Sequence, residues 1–175
     1  GEPQMTLLMA FDAETDLPLL SRMYEGAALD RVDVADLLAQ ARFEGVIFVV
    51  DRGFYSEENV GLLTERGNHY VVPLSKGLSA CREAVSSLEM GGRFVWQRGS
   101  KATVVEYKEQ EVSGGRVLTY RDMSESAAEQ ANYLRHMERG DKAYTQERFD
   151  ELAPLMGVTV LQTSLPASER DAEAV

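Results

Sequence analysis

Cysteine and histidine are almost missing from this chain of 175 residues: one cysteine, Cys81, and two histidines, His69 and His136. A lone cysteine excludes an internal disulfide and a cysteine-based zinc site. No second ligand stands at metal spacing from either histidine, so neither points to a metal centre. No apolar run approaches the roughly 20 residues a membrane-spanning helix needs, and no charged-then-apolar opening suggests a secretory leader. These absences fit a reducing, cytoplasmic setting without a membrane partner. Basic residues are scarce as well, 18 against 29 acids, for a net charge of −11. That balance counts against nucleic-acid binding by the whole chain, because phosphate contacts need basic patches. The deficit is uneven: residues 1–76 hold 13 acids and 6 bases, whereas residues 77–154 hold 13 and 11. If any stretch touches phosphates, the middle one is the better candidate.

What is present suits one domain, or a core with a sub-domain. The hydrophobic share of 44% is enough for a globular core. Residues 5–11 and 17–24 read as two strands of a hairpin around a polar loop at 12–16. Asp30 or Asp33 can cap a helix running to about Phe43. The apolar run 45–50 reads as a strand buried on both faces, followed by a helix over 56–65 that ends at Gly67 and a short strand over 70–74. Beyond Lys76 the pattern changes. A helix is expected over 78–90, then three alternating strands over 93–97, 103–109 and 116–121, with turns at Gly99-Ser100 and Ser113-Gly114-Gly115. Helices over 125–139, with Ser124 as the cap, and over 145–154 precede a buried-type strand over 158–163. The tail from 166 to 175 is polar and is expected to fray.

The residue that points most directly to chemistry is Asp51. It stands at the carboxyl end of Gly45-Val46-Ile47-Phe48-Val49-Val50, where open α/β sheets bind their ligands. After it comes Arg52-Gly53-Phe54-Tyr55-Ser56-Glu57-Glu58-Asn59, a turn at Gly53 and then Ser56 as an N-cap with acids in the first helical turn. An aspartate in this place can hold a metal or a phosphoryl group; the same aspartate can equally be a turn cap. Asp12 reads as a turn residue, and Asp30 as a helix cap. Arg52 and Lys76 flank the carboxyl ends of their strands and could meet phosphates. Arg98, Lys101 and Lys108, near Trp96, are further candidates for nucleic-acid contact; Trp96 itself reads either as a base-stacking residue or as core.

The segment from Asp51 to Asn59, continued by Val60-Gly61-Leu62-Leu63 and by Gly67-Asn68-His69-Tyr70-Val71-Val72-Pro73-Leu74, resembles the surroundings of the second catalytic aspartate in DDE-type insertion-sequence transposases. Phe11-Asp12-Ala13-Glu14-Thr15-Asp16-Leu17-Pro18-Leu19 is similar to the family's hairpin. Tyr24-Glu25-Gly26-Ala27-Ala28-Leu29-Asp30 is similar to its Gly-Asn-x-x-Asp element, with Ala27 where Asn is usual. Gly157-Val158-Thr159-Val160-Leu161-Gln162-Thr163-Ser164 resembles the strand before the last catalytic helix. The resemblance implies an α/β, ribonuclease H-like mixed sheet that is incomplete, its first strand and last catalytic helix absent, with an inserted α+β sub-domain. It would divide the chain into core residues 1–76, the inserted sub-domain 77–156, and a return strand with tail at 157–175.

That family uses two aspartates and a glutamate, and Asp51 is the one of the three that this sequence matches. The resemblance therefore implies an internal piece of a nucleoid-associated bacterial or archaeal DNA transposase, inactive alone. Its parent would cleave and join DNA at element ends by two-metal phosphoryl transfer with Mg²⁺ or Mn²⁺ held in part by Asp51. DNA, both element ends and target, would be the partner, with self-association a further possibility. Two other classes compete. A receiver-like phospho-acceptor module also ends a central strand in aspartate and follows a later strand with lysine, as Lys76 does; it needs a helix where 17–24 reads as a strand. A non-catalytic protein-interaction domain is compatible with the missing carboxylates.

Overall fold

The computed structural model describes residues 5–25, 35, 36, 38, 39, 41–75, 85 and 90–175. Two compact units divide the chain, Gly1–Tyr70 and Val71–Val175.

In the first unit, β1 (Met5–Phe11) and β2 (Pro18–Glu25) pair antiparallel from Met5↔Glu25 to Ala10↔Leu20, with an irregularity before Phe11↔Pro18. The connecting loop is tied by Asp12, whose Oδ1 accepts from the backbone N–H groups of Glu14 and Thr15, each at 2.9 Å. The bonds from Thr15 and then Glu14 hold the Asp12 carboxyl below its ordinary value. Asp12 is thus the turn residue its position suggests. The hairpin forms a two-stranded sheet of its own. Met5, Leu7, Met9, Phe11 and Met23 are exposed, and the alternation of a strand places the four from β1 on one face.

Residues 35, 36, 38, 39 and 41 are helical; the caps expected at Asp30 and Asp33 lie outside the described residues. Next come β3 (Ile47–Val49), a 3₁₀ turn (Arg52–Phe54), α1 (Glu57–Leu63), a second 3₁₀ turn (Glu65–Gly67) and the start of β4 (His69–Pro73). The structure corrects one expectation here. β3 is not buried on both faces: Ile47 is 43% and Val49 75% exposed. It lies at the end of its sheet, with β4 as its neighbour.

In the second unit, β4 pairs with β8 (Val158–Thr163), β8 with β7 (Gly115–Asp122), β7 with β6 (Lys101–Val112) and β6 with β5 (Gly92–Arg98), all antiparallel. The sheet containing β3 therefore has the order β3-β4-β8-β7-β6-β5. The chain is α/β, with a mostly antiparallel sheet. The tight turns expected between β5, β6 and β7 are present: Arg98 pairs with Lys101 and Val112 with Gly115, leaving two-residue loops. Gly99 and Gly114 supply the positive φ these turns require. Val72, Leu118, Val160 and Thr163 are buried along the central strands.

Two helices follow β7: α2 (Met123–Glu138) and α3 (Gln146–Leu152). They meet at an aromatic cluster, Tyr133 lying 4.8 Å from Tyr144 and 5.4 Å from Phe149 between ring centroids. His136 stacks on Tyr144 and bonds to Asp141 at 2.6 Å. The cap of α2 is Asp122, not Ser124. Asp122 Oδ1 accepts from the N–H groups of Ser124 (2.8 Å) and Glu125 (3.0 Å) and from the Thr103 hydroxyl (2.7 Å). Burial alone would raise this carboxyl, but those three bonds together outweigh it and hold Asp122 below the ordinary aspartate value. Its stabilising effect is therefore complete above an unfolded value of about 3.9 and is lost as pH falls through the lower folded value. Asp122→Ala is expected to lower stability by about 1 kcal/mol at neutral pH. Urea titrations at pH 7 and pH 2 check this: the gap between wild type and variant should narrow at the lower pH, and an undiminished gap would contradict the assignment.

The tail does not fray as its polarity suggests. Leu165 and Ala172 are buried, and two side chains from β7 hold the segment. Arg116 is 1% exposed. Its Nε donates to the Leu165 carbonyl at 2.7 Å, its Nη1 to Glu109 Oε1 at 2.9 Å, and its Nη2 to the Arg170 carbonyl. The Tyr120 hydroxyl donates to the Ala172 carbonyl at 2.7 Å, and burial pushes this phenol up to about 12.

Candidate functional site

Val50 ends the extended run, and the chain turns at once. Asp51 is the N-cap of the Arg52–Phe54 turn: its Oδ1 accepts from Gly53 N at 2.8 Å, and its carbonyl accepts from Phe54 N at 3.1 Å. A Cβ on Gly53 would come within 3.1 Å of Asp51 Oδ1, so glycine lets the carboxylate fold back over the turn. Asp51 remains exposed. Its Oδ2 takes no hydrogen bond among the described residues. One carboxylate oxygen thus fixes the turn, which leaves the other able to accept a ligand.

The helix after the turn begins as its sequence suggests. Ser56 is the N-cap, with Oγ accepting from Asn59 N at 3.0 Å and Glu57 and Glu58 in the first turn. Two asparagines, Asn59 and Asn68, build the support. Asn59 is buried, and its Nδ2 donates to the Phe54 carbonyl at 3.1 Å. Asn68 is buried too. Its Oδ1 accepts from Val46 N at 3.1 Å, and its Nδ2 donates to the carbonyls of Phe43 (3.1 Å) and Glu65 (2.7 Å). Asn68 therefore ties the entry of β3 to the end of the helical segment. The Ser56-to-Asn59 spacing carries a faint signal of the first role; nothing local announces the second.

Arg52 is exposed in the same turn as Asp51. Lys76 lies outside the described residues. Arg98 and Lys101 are register partners at the β5–β6 turn. Lys108 is seven positions along β6 from Lys101, on the opposite face by strand alternation and about 24 Å away along the strand; its register partner is Thr119. Lys101 and Lys108 do not form one patch. Asp51 and Arg52 belong to the first unit, and Arg98, Lys101 and Lys108 to the second.

An exposed carboxylate suits a hard divalent cation, which takes oxygen ligands. One carboxylate is not a complete set, and among the described residues no group of three His, Cys, Asp or Glu side chains could hold a metal ion. Asp51 fits as one ligand of such a site. No helix among the described residues is long and apolar enough to cross a membrane.

Residues 1–173 match the family model described as "Transposase DDE domain". No curated protein and no solved structure matches the chain.

Proposed function

The chain belongs to the transposase DDE domain family, a family of DNA transposases, and from that premise we propose that Asp51 is one of the carboxylates that hold the divalent metal during DNA cleavage and joining at element ends. What supports this reading is the position of Asp51: an exposed carboxylate at the end of β3, its turn fixed by its own Oδ1 and by Asn59. Mg²⁺ or Mn²⁺, when bound, would activate the attacking oxygen and neutralise the leaving one in an in-line displacement. The part of this chain is to hold Asp51 in place and to keep one of its oxygens available. The family's activity needs three carboxylates and Asp51 supplies one, so these 175 residues alone are expected not to cut DNA. The receiver and interaction readings are not favoured, because the family match runs through nearly the whole chain. The decisive experiment is end nicking by the complete transposase with and without Asp51, developed in the Discussion.

The fold proposal is an incomplete ribonuclease H-like core with an insertion over 77–156. Two observations support it. β4 and β8 are neighbours in the sheet although β5, β6, β7 and both later helices lie between them in sequence. The β1–β2 hairpin stands as a two-stranded sheet, a form marginally stable by itself, and among the described residues β3 has a partner on one side. Unpaired edges and the exposed apolar face of β1 favour association with other chains, which makes self-association part of the proposal. Light scattering over a concentration series should show species larger than the monomer; a monodisperse monomer at every concentration would contradict both the missing strand and the association. DNA contact is proposed for Arg52, Lys76, Arg98, Lys101 and Lys108. The nucleoid of a bacterium or archaeon is the corresponding setting.

A further inference from the structure

Asn59 breaks a rule that buried polar groups normally obey. Its side chain is 6% exposed. The bond from Nδ2 to the Phe54 carbonyl fixes which way the amide points, since the flipped form would set oxygen against oxygen. That leaves Oδ1 buried with no hydrogen-bond partner among the described residues. An unmet buried acceptor lowers stability. A residue that lowers stability where an apolar one of its size would not is expected at a functional site rather than in ordinary core.

What Asn59 holds is the turn of Asp51. Phe54, which accepts from Asn59 Nδ2, donates its own N–H to the Asp51 carbonyl, while Gly53 N donates to Asp51 Oδ1. The amide thus fastens the far end of the turn that Asp51 caps at its near end, and it does so from within α1 (Glu57–Leu63). We propose that Asn59 is the positioning residue of Asp51, setting the direction of its carboxylate at some cost in stability. The inference rests on the reading of Asp51 as a metal-holding carboxylate.

Asn59→Leu tests it, because leucine keeps the approximate volume while removing both the Nδ2 donor and the unmet acceptor. In the 175-residue chain, urea stability should stay level or rise, while exchange of the Gly53 amide proton speeds up. In the complete transposase, Mn²⁺-dependent nicking should fall about tenfold to a hundredfold, the loss typical of a residue that orients a metal ligand. Binding of transposon ends should be unchanged, and the Mn²⁺ concentration for half-maximal nicking should increase. Wild-type nicking with wild-type Mn²⁺ dependence, or an unchanged Gly53 amide, overturns the proposal. Should Asn59→Leu fold poorly, Asn59→Asp serves instead: it keeps the size and turns an acceptor toward the Phe54 carbonyl, so the same losses are expected. Asp51→Asn is run alongside. If it nicks like wild type, the reading of Asp51 fails while the Gly53 result still decides whether Asn59 holds the turn.

Discussion

Asp51→Asn in the complete transposase is expected to abolish Mn²⁺-dependent nicking of transposon ends while leaving the ends bound. Asparagine keeps the shape of the side chain, and its carbonyl oxygen can still accept from Gly53 N, the bond that caps the Arg52–Phe54 turn. The fold should therefore survive. What is lost is the negative charge and one strong oxygen ligand for a hard cation. Loss of a residue that merely orients a ligand reduces activity roughly 10–100-fold, so loss of a ligand itself should exceed about 100-fold. The check is a single-turnover nicking assay beside an end-binding assay. Equal nicking by wild type and variant would reduce Asp51 to a turn cap. Equal loss of binding and nicking would place its role in DNA contact or folding instead of metal chemistry.

The second large effect lies away from that site. Arg116→Met should destabilise the 175-residue chain by about 3 kcal/mol, near the low end of the cost of breaking a buried charged pair. Methionine can fill much of the space, but it leaves the Leu165 and Arg170 carbonyls and Glu109 without their donor. Glu109 is partly exposed and can recover water; the Leu165 carbonyl, on a buried residue, cannot. The segment 165–172 should then loosen before the sheet does, since Tyr120 would be its remaining anchor from β7. A urea titration with an unchanged m-value, followed by limited proteolysis, measures both. A change below about 1 kcal/mol would mean that Arg116 behaves as a surface ion pair despite its burial.

Much of the fold was legible because its causes are local. The three alternating strands and their Gly-containing two-residue turns follow from side-chain period and backbone freedom, and β5, β6 and β7 appear where that pattern puts them. The Asp51 turn and the Ser56 cap were legible for the same reason, being fixed within three residues of themselves. What failed depended on distance in sequence. The tail reads as polar and loose, yet it is held by Arg116 and Tyr120 across 49 to 54 residues. The run that forms β3 reads as buried and is exposed, because an apolar β-branched run says nothing of what will cover it. Ser124 reads as the cap of α2 from the helical pattern, whereas Asp122 is the cap, because both residue types can cap and only the end of β7 decides between them. The bonding roles of Asn59 and Asn68 are not legible locally, because what they hold, the Phe54 and Phe43 carbonyls and the Val46 amide, is set by the fold.

The central claim is that a divalent ion sits at Asp51. Iron(II) accepts oxygen ligands in place of magnesium, and with ascorbate and peroxide it cuts the polypeptide where it is bound. Applied to the complete transposase, this should give a backbone cut beside residue 51 that excess Mg²⁺ suppresses and that Asp51→Asn removes. A cleavage pattern with no cut near residue 51, or one unchanged in Asp51→Asn, would contradict the account.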